Sequence, residues 1–195
     1  MRFLVLTTLL LCAGLVPALA QERPRVVPVE TLDLTRYAGH WHEIARLPGS
    51  HQRRCASDAT AHYTLRSDGR IGVRNACRTR EGEYLAADGV ARQVEGHPAR
   101  LQVRFAPDWL GWLPLVWADY WVLALDPDYQ WAMVGEPGRR YLWILAREPS
   151  MDAMLFARLK AAAERMGYDL SELVVAAPLH GGQAPGDGED DAQTP

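Results

Sequence analysis

Short apolar and aromatic runs, separated by turn signals, dominate the middle of the sequence. Residues 120–125, 130–134 and 141–146 are rich in tryptophan, tyrosine and aliphatic side chains, with an Asp-Pro-Asp sequence at 126–128 and a Gly-Glu-Pro-Gly sequence at 135–138 between them. Runs of about five or six residues between such turns have the length of strands and are too short for helices. We therefore predict three consecutive antiparallel strands. Each carries more large apolar groups than one buried face needs, so both faces must be covered.

The same pattern extends towards the N terminus. An alternating run at 39–46 predicts a first strand, preceded by a short helical turn within 31–37. Further strand-sized runs, with turn residues between them, are found at 59–65, 71–77, 84–91 and 100–105. Gly89, inside one of these runs, is expected to mark a bulge. Together the runs predict about eight antiparallel strands joined in sequential order.

One helix is predicted near the C terminus. Ser150 is its expected N-cap and Gly167 its expected stop. Between them four apolar residues recur at helical spacing: Leu155, Leu159, Ala162 and Met166. This stripe is expected to pack against the outside of the sheet, and residues 173–176 are predicted to form an edge strand. The sequence thus predicts an all-β fold, an eight-stranded antiparallel up-and-down β-barrel with one C-terminal α-helix packed outside.

The first 20 residues have the pattern of a signal peptide. Arg2 is followed by an apolar stretch at 3–16 and by a small-x-small cleavage sequence at 18–20. We expect secretion to the periplasm. The alternative is an outer-membrane lipoprotein acylated at Cys12, although the bulky Leu11 precedes that cysteine. After this segment we predict an extended lead-in at 21–30, one domain at 31–178 and a disordered acidic tail at 179–195.

Charge and cysteine content narrow the classes of function. Without residues 1–20 the chain has 20 basic and 24 acidic residues, a net charge of about −4, which argues against a nucleic-acid partner. Only Cys55 and Cys77 then remain, and in an oxidising compartment such a pair is expected to form a disulfide. Two free thiols or a metal site are the alternative.

Residues 106–118 interrupt the strand pattern with an apolar connection that contains Trp109, Trp112 and Trp117. Two interpretations stay open. The connection packs over the mouth or side of the barrel, or it forms an exposed patch for peripheral contact with a membrane or with a partner.

No motif indicates an enzyme, a cofactor site or a metal site. The chain has no nucleophile-elbow, zinc-protease or phosphate-loop sequence. His40 and His42 share a strand face and could bind a metal only together with His51 or His62, which no spacing supports. Glu43 is the one candidate for a reactive group inside the barrel, and we expect neighbouring donors to satisfy it.

Several segments resemble the lipocalins. Gly39-His40-Trp41 is similar to their first signature, Ala118-Asp119-Tyr120 to their second, and Arg147 to the arginine of their third. The runs 41–46 and 141–147 are similar to the bacterial lipocalin and apolipoprotein D branch, except that His42 replaces a tyrosine. The resemblance covers residues 34–175 and implies a calyx-shaped barrel whose closed end is plugged by stacking of Trp41 on Arg147.

The resemblance also implies a ligand-lining set. If Arg147 faces the interior, residues two apart on its strand share that face, and a similar alternation applies to the strand that begins near 118. Matching to the family adds three further positions, and several residues of the set carry a hydroxyl, amide or indole N–H group. The predicted lining residues are Tyr63, Asn75, Phe105, Tyr120, Val122, Tyr141, Trp143 and Leu145. An alternative is that these aromatic residues fill a closed core.

The expected function is binding and transport or storage of a small lipophilic ligand, a fatty acid or a lysophospholipid, in the cell envelope. The ligand class comes from the resemblance, while the residues themselves indicate an apolar cup with a few polar groups. The alternative is an inhibitor or macromolecule-binding protein that acts through its loops. We expect no cofactor, and a monomer or weak homodimer.

Overall fold

Eight antiparallel strands close into a barrel in the computed structural model, which describes residues 24–181. They are β1 (Gly39–Arg46), β2 (Ser57–Leu65), β3 (Ile71–Arg78), β4 (Tyr84–Val94), β5 (His97–Arg104), β6 (Ala118–Leu125), β7 (Trp131–Gly135) and β8 (Leu142–Ala146). Each strand pairs with the next, and β8 pairs back with β1. The predicted fold class is confirmed.

The barrel separates two apolar clusters. One fills the interior around Trp41, Val122 and Leu145, and the other lies between the barrel wall and a helix, around Ile44 and Ile144. Successive residues of a strand point to opposite faces. Strands β7 and β8 therefore contribute to both clusters, which explains why their sequences are apolar at nearly every position.

The outer cluster is covered by helix α2 (Ala153–Arg165), which follows the short strand β9 (Met151–Asp152). The predicted N-cap was wrong, because the carboxylate of Asp152, not Ser150, accepts the backbone N–H of Leu155 at 2.8 Å. Residues 151–152 are held extended by parallel pairing with a later strand, so the helix begins after them.

The buried face of α2 is rotated slightly from the predicted stripe. Phe156, Leu159 and Ala163 are buried, while Leu155, Ala162 and Met166 pack at the edges of the cluster. Sequence periodicity located the stripe but could not place its centre, since apolar residues occupy adjacent helical positions.

Two short strands complete the C-terminal part. The predicted edge strand is present as β10 (Val174–Val175), which pairs with Ala45 and Arg46 of β1. Strand β11 (Leu179–His180) pairs in parallel with β9, so these two residues belong with the folded chain and not with a disordered tail. The rest of that predicted tail, 182–195, lies outside the described residues.

The N-terminal part crosses one end of the barrel. Residues 24–30 contain no helix or strand, and the N–H of Val29 donates to the carbonyl of Val122 at 2.9 Å. Helix α1 (Leu34–Tyr37) follows, capped by Asp33. The predicted signal peptide at 1–20 and residues 21–23 of the predicted lead-in lie outside the described residues. Neither helix in the range 24–181 combines the length and the apolar content that a transmembrane helix requires.

Candidate functional site: a calyx with a plugged floor

The floor of the barrel is built on Trp41 and Arg147. The indole is fully buried, and the guanidinium carbon lies 3.8 Å from its ring centroid. The indole N–H donates to the carbonyl of Tyr37 at 2.8 Å. A guanidinium over an indole stabilises by about 2 kcal/mol when it is desolvated, so this pair closes the barrel at the end where α1 lies.

The Arg147 side chain also binds the C-terminal end of α1. Its Nη2 donates to the carbonyls of Arg36 and Ala38 at 2.7 and 3.0 Å, and its Nη1 to the carbonyl of His40 at 2.7 Å. The last carbonyls of a helix lack partners within the helix and carry partial negative charge. The guanidinium therefore fastens α1 across the barrel end. Burial lowers the pKa of Arg147 from its ordinary value.

Three tyrosine hydroxyls meet above this floor. The Tyr120 hydroxyl lies 2.7 Å from that of Tyr37 and 2.8 Å from that of Tyr63. Burial is the main cause that raises the pKa of Tyr63 to about 12 and the pKa values of Tyr37 and Tyr120 well above the ordinary value. The three side chains are therefore neutral hydrogen-bonding groups at physiological pH.

This cluster predicts loss of stability in alkali. Tyrosines of the unfolded chain ionise near pH 10, whereas the three buried hydroxyls stay protonated above that pH. The free energy of unfolding should therefore be insensitive to these groups below about pH 10 and should fall as the pH rises from about 10 to 12. Thermal unfolding across this range tests the expectation. Full, reversible titration of all seven tyrosines near pH 10 in the folded protein, read by absorbance at about 295 nm, would contradict it.

The predicted lining residues fall into two zones. Tyr63, Val122 and Leu145 are buried in the interior cluster, and Tyr120 and Trp143 pack against it. Tyr141 is half-buried, with its ring stacked on that of Trp143 at 5.9 Å. These residues share inward-facing strand positions, whereas Trp121 contacts the outer cluster and Arg100.

The second zone lies on β3, on β4 and at the end of β5, and it is open to solvent. Asn75 is exposed, although it shares a strand face with the buried Ile71 and Val73. The exposed Ala87 pairs with it from β4. Phe105, which directly follows β5, is 44% exposed. The inward positions are thus buried in the first zone and exposed to solvent in the second.

Gly89 has a different role from the one predicted. The register between β3 and β4 is continuous through Gly89, so there is no bulge in that ladder. A Cβ at this position would lie 2.8 Å from the Phe105 ring and 2.7 Å from the carbonyl oxygen of Arg104. Glycine is needed here because an aromatic ring packs directly on the strand backbone.

A polar cluster on the inner wall was not predicted. Arg46 Nη1 donates to Glu43 Oε1 at 2.5 Å, the Gln52 amide donates to Glu43 Oε2 at 2.7 Å, and the Trp143 indole N–H donates to Gln52 Oε1 at 3.1 Å. Glu43 has neighbouring donors, as expected. Arg46 was missed because a register shift between Glu43 and Ala45 brings it beside Glu43, and no residue type in the sequence marks that shift. Gln52 was missed because it lies outside the strands, in the 3-10 turn Ser50–Gln52.

The predicted disulfide between Cys55 and Cys77 is present, with the Cα atoms 5.5 Å apart. It fastens the connection between β1 and β2 to the end of β3. Arg46 Nη2 also donates to the Cys55 carbonyl at 3.4 Å. The segment that carries Gln52 is therefore held against the barrel mouth.

Three of the six histidines, His40, His42 and His62, form a cluster on the outside of β1 and β2. The rings of His40 and His42 lie 4.6 Å apart, and that of His62 is 6.3 Å from His40. Within residues 24–181 no group of three or more histidine, cysteine, aspartate or glutamate side chains is arranged to hold a metal ion. Burial and the neighbouring histidines lower the pKa of His40.

Comparison with known proteins identifies relatives among the lipocalins. A family model described as a lipocalin-like domain matches residues 32–178. The chain is 39% identical over 155 residues to temperature-induced lipocalin-1 of Arabidopsis thaliana, which covers 78% of this chain and 82% of that protein. It is 35% identical over 179 residues to outer membrane lipoprotein Blc of Escherichia coli K12, which covers 89% of this chain and 96% of that protein.

A solved structure supports the fold independently. The major allergen Per a 4 from cockroaches superposes with a TM-score of 0.58 at 20% sequence identity, covering 80% of this chain and 94% of that one. The resemblance noted in the sequence therefore extends through the whole domain, and the chain belongs to the lipocalin family.

Proposed function

We propose that the protein binds and carries an elongated lipophile, a fatty acid or a lysophospholipid, inside the barrel. Lipocalins generally bind small hydrophobic molecules, and the specific class is our inference. The observation that carries it is the division of the interior, in which the floor is packed and the inward positions Asn75, Ala87 and Phe105 stay exposed. An acyl chain would cover Phe105 and Ala87 on the way to the buried aromatic zone.

The polar end of the ligand would stay near the mouth. Asn75 is exposed there, and the Arg46–Glu43 pair with Gln52 forms a polar strip on the inner wall. The floor offers only neutral tyrosine hydroxyls beneath apolar side chains, and burial of a charged head there would be unfavourable. The ligand would therefore enter with its chain first.

The cell envelope is the proposed location. The Cys55–Cys77 disulfide requires an oxidising compartment in most organisms, and residues 1–20 have the pattern of a secretion signal. The relative from Escherichia coli is named an outer membrane lipoprotein. Acylation at Cys12 remains the alternative mode of retention.

Two adjacent alanines of β4 provide the test. Ala87 faces the mouth and Ala86 faces the outside, and both are exposed. The change Ala87→Phe should weaken binding of lysophosphatidylcholine and oleate about tenfold, because overpacking a binding site by a ring costs about 1–3 kcal/mol. Ala86→Phe should leave binding unchanged. Native mass spectrometry of delipidated protein, checked for folding by circular dichroism, would measure occupancy and stoichiometry.

Two results would overturn the proposal. One is equal binding by the wild type and both variants, which would place the lipid elsewhere. The other is no binding of either lipid by folded, delipidated wild type, which would move the function to the loops.

A further inference from the structure

The connection between β5 and β6, residues 105–117, forms a projection that we call the Trp loop. It contains two 3-10 turns, Asp108–Leu110 and Pro114–Val116. Three of its large apolar side chains project into solvent: Trp109 is 73% exposed, Trp112 77% and Leu115 96%. Such a group of exposed apolar side chains on one segment usually marks a contact surface.

The loop is fastened to the outer face of the barrel by Arg104. This side chain is 2% exposed, and its Nη1 donates to the carbonyls of Ala106 and Pro107 at 2.7 and 2.6 Å. Its Nη2 donates to Asp108 at 2.6 Å. The Trp117 indole N–H donates to the Gly111 carbonyl at 2.8 Å. The exposed tips are thus held away from the core.

A basic cleft of about 400 Å³ lies at the base of the loop. It is lined by Arg70, Arg92, Arg104, Asp108, Gly111 and Trp117. Arg70 pairs with Asp68 at 2.9 Å, and Arg104 with Asp108. Arg92 stacks on Trp117 at 4.0 Å and donates to Gln102 at 3.0 Å. Among residues 24–181 no carboxylate lies within 4 Å of its guanidinium.

We propose that this face docks on a membrane surface that contains anionic phospholipids. The cleft takes a lipid phosphate through Arg92, while Trp109, Trp112 and Leu115 enter the interfacial layer. Tryptophan side chains favour that layer, and a guanidinium matches phosphate oxygens with paired N–H groups. The occupant is a lipid surface and not the ligand of the calyx, because the cleft lies on the outer face of β4 and β5.

The local charge of the docking face, and not the net charge of the chain, favours an anionic lipid surface. The whole chain has a net charge of −3 and would be repelled by an anionic surface, but at physiological salt charges act over only about 8 Å. The docking face therefore depends on its local excess of arginine. The exposed side chains of Trp109, Trp112 and Leu115 protrude next to an arginine-lined cleft. This arrangement suits insertion among lipids better than contact with a flat protein surface.

Vesicle binding tests the proposal. Purified full-length protein would be sedimented with vesicles of phosphatidylcholine alone or mixed with phosphatidylglycerol. We expect preference for the anionic vesicles. The change Arg92→Gln should weaken that binding about fivefold, since a basic residue near such a surface contributes about 1 kcal/mol. Changing both Trp109→Ser and Trp112→Ser should weaken binding to both vesicle types about tenfold.

The chain offers matched controls. Arg74→Gln removes the same charge from an exposed arginine that pairs with Asp88, and Tyr84→Ser removes a 60% exposed aromatic residue. Both variants should bind as the wild type does. All variants share residues 1–23, so any contribution of that segment cancels.

Four outcomes would overturn the proposal: no vesicle binding by the folded wild type, no preference of the wild type for anionic vesicles, the same loss for Arg74→Gln as for Arg92→Gln, or saturable quenching of tryptophan fluorescence by inorganic phosphate in a protein that binds no vesicles. The last would assign the cleft to a free anion. Absence of vesicle binding together with retained folding would leave the Trp loop to a protein partner.

Discussion

Replacing Arg147 by methionine is expected to lower the free energy of unfolding by about 3–5 kcal/mol. The change removes the stacking on Trp41 and the bonds to the carbonyls of Arg36, Ala38 and His40. It leaves those carbonyls without their donor at the end of α1. Hydrogen bonds from a charged group contribute about 1.5–3 kcal/mol each, and water will replace part of them because Arg147 is only half-buried.

Urea unfolding followed by circular dichroism measures this effect. Arg147→Lys keeps the charge but lacks the planar fork, so it should fall between wild type and methionine variant. Arg74→Met, at an exposed site, should change stability by less than about 0.5 kcal/mol. If Arg147→Met were as stable as Arg74→Met, the guanidinium would not be what holds the floor closed.

Loss of the disulfide is the second large effect. The bridge joins residues 22 positions apart, and closing a loop of about that length stabilises a fold by about 3 kcal/mol in the chain-entropy model. The double change Cys55→Ser and Cys77→Ser should therefore lower the free energy of unfolding by about that amount. The residues between β1 and β2 should also lose protection from hydrogen exchange.

Reduction provides the control for this experiment. A reducing agent should destabilise the wild type by the same amount and leave the double variant unaffected. A wild type whose unfolding is insensitive to the reducing agent, although the thiols are shown to be free, would contradict the expected contribution.

Much of the barrel could be predicted from the sequence because strand length and alternation are local properties. The turn signals at 126–128 and 135–138 separate β6, β7 and β8 as expected. The inward faces of β6 and β8 could also be predicted. Once Arg147 is placed inside, alternation puts Trp143 and Leu145 on the interior side, where the structure has them.

The parts that could not be predicted depend on irregularities and on contacts between distant residues. The shift between Glu43 and Ala45 turns Arg46 towards Glu43, and it arises from pairing with β8. No sequence pattern marks Arg104, yet this side chain is buried because the Trp loop folds back over it. The two alternatives for that loop are partly combined in the structure, since Trp117 packs on the barrel while Trp109 and Trp112 are exposed.

Quenching by a brominated fatty acid is the most direct test of a ligand inside the calyx. Bromine quenches tryptophan only at short range, and Trp143 lines the interior while Trp109 and Trp112 lie on the outer loop. We predict saturable quenching near one fatty acid per chain that is reduced in Trp143→Phe, where Trp41 of the floor remains as the interior tryptophan, and that is retained after Trp109→Ser and Trp112→Ser. Quenching that persists in Trp143→Phe and disappears with the loop variant would contradict the account and place the lipid outside the barrel.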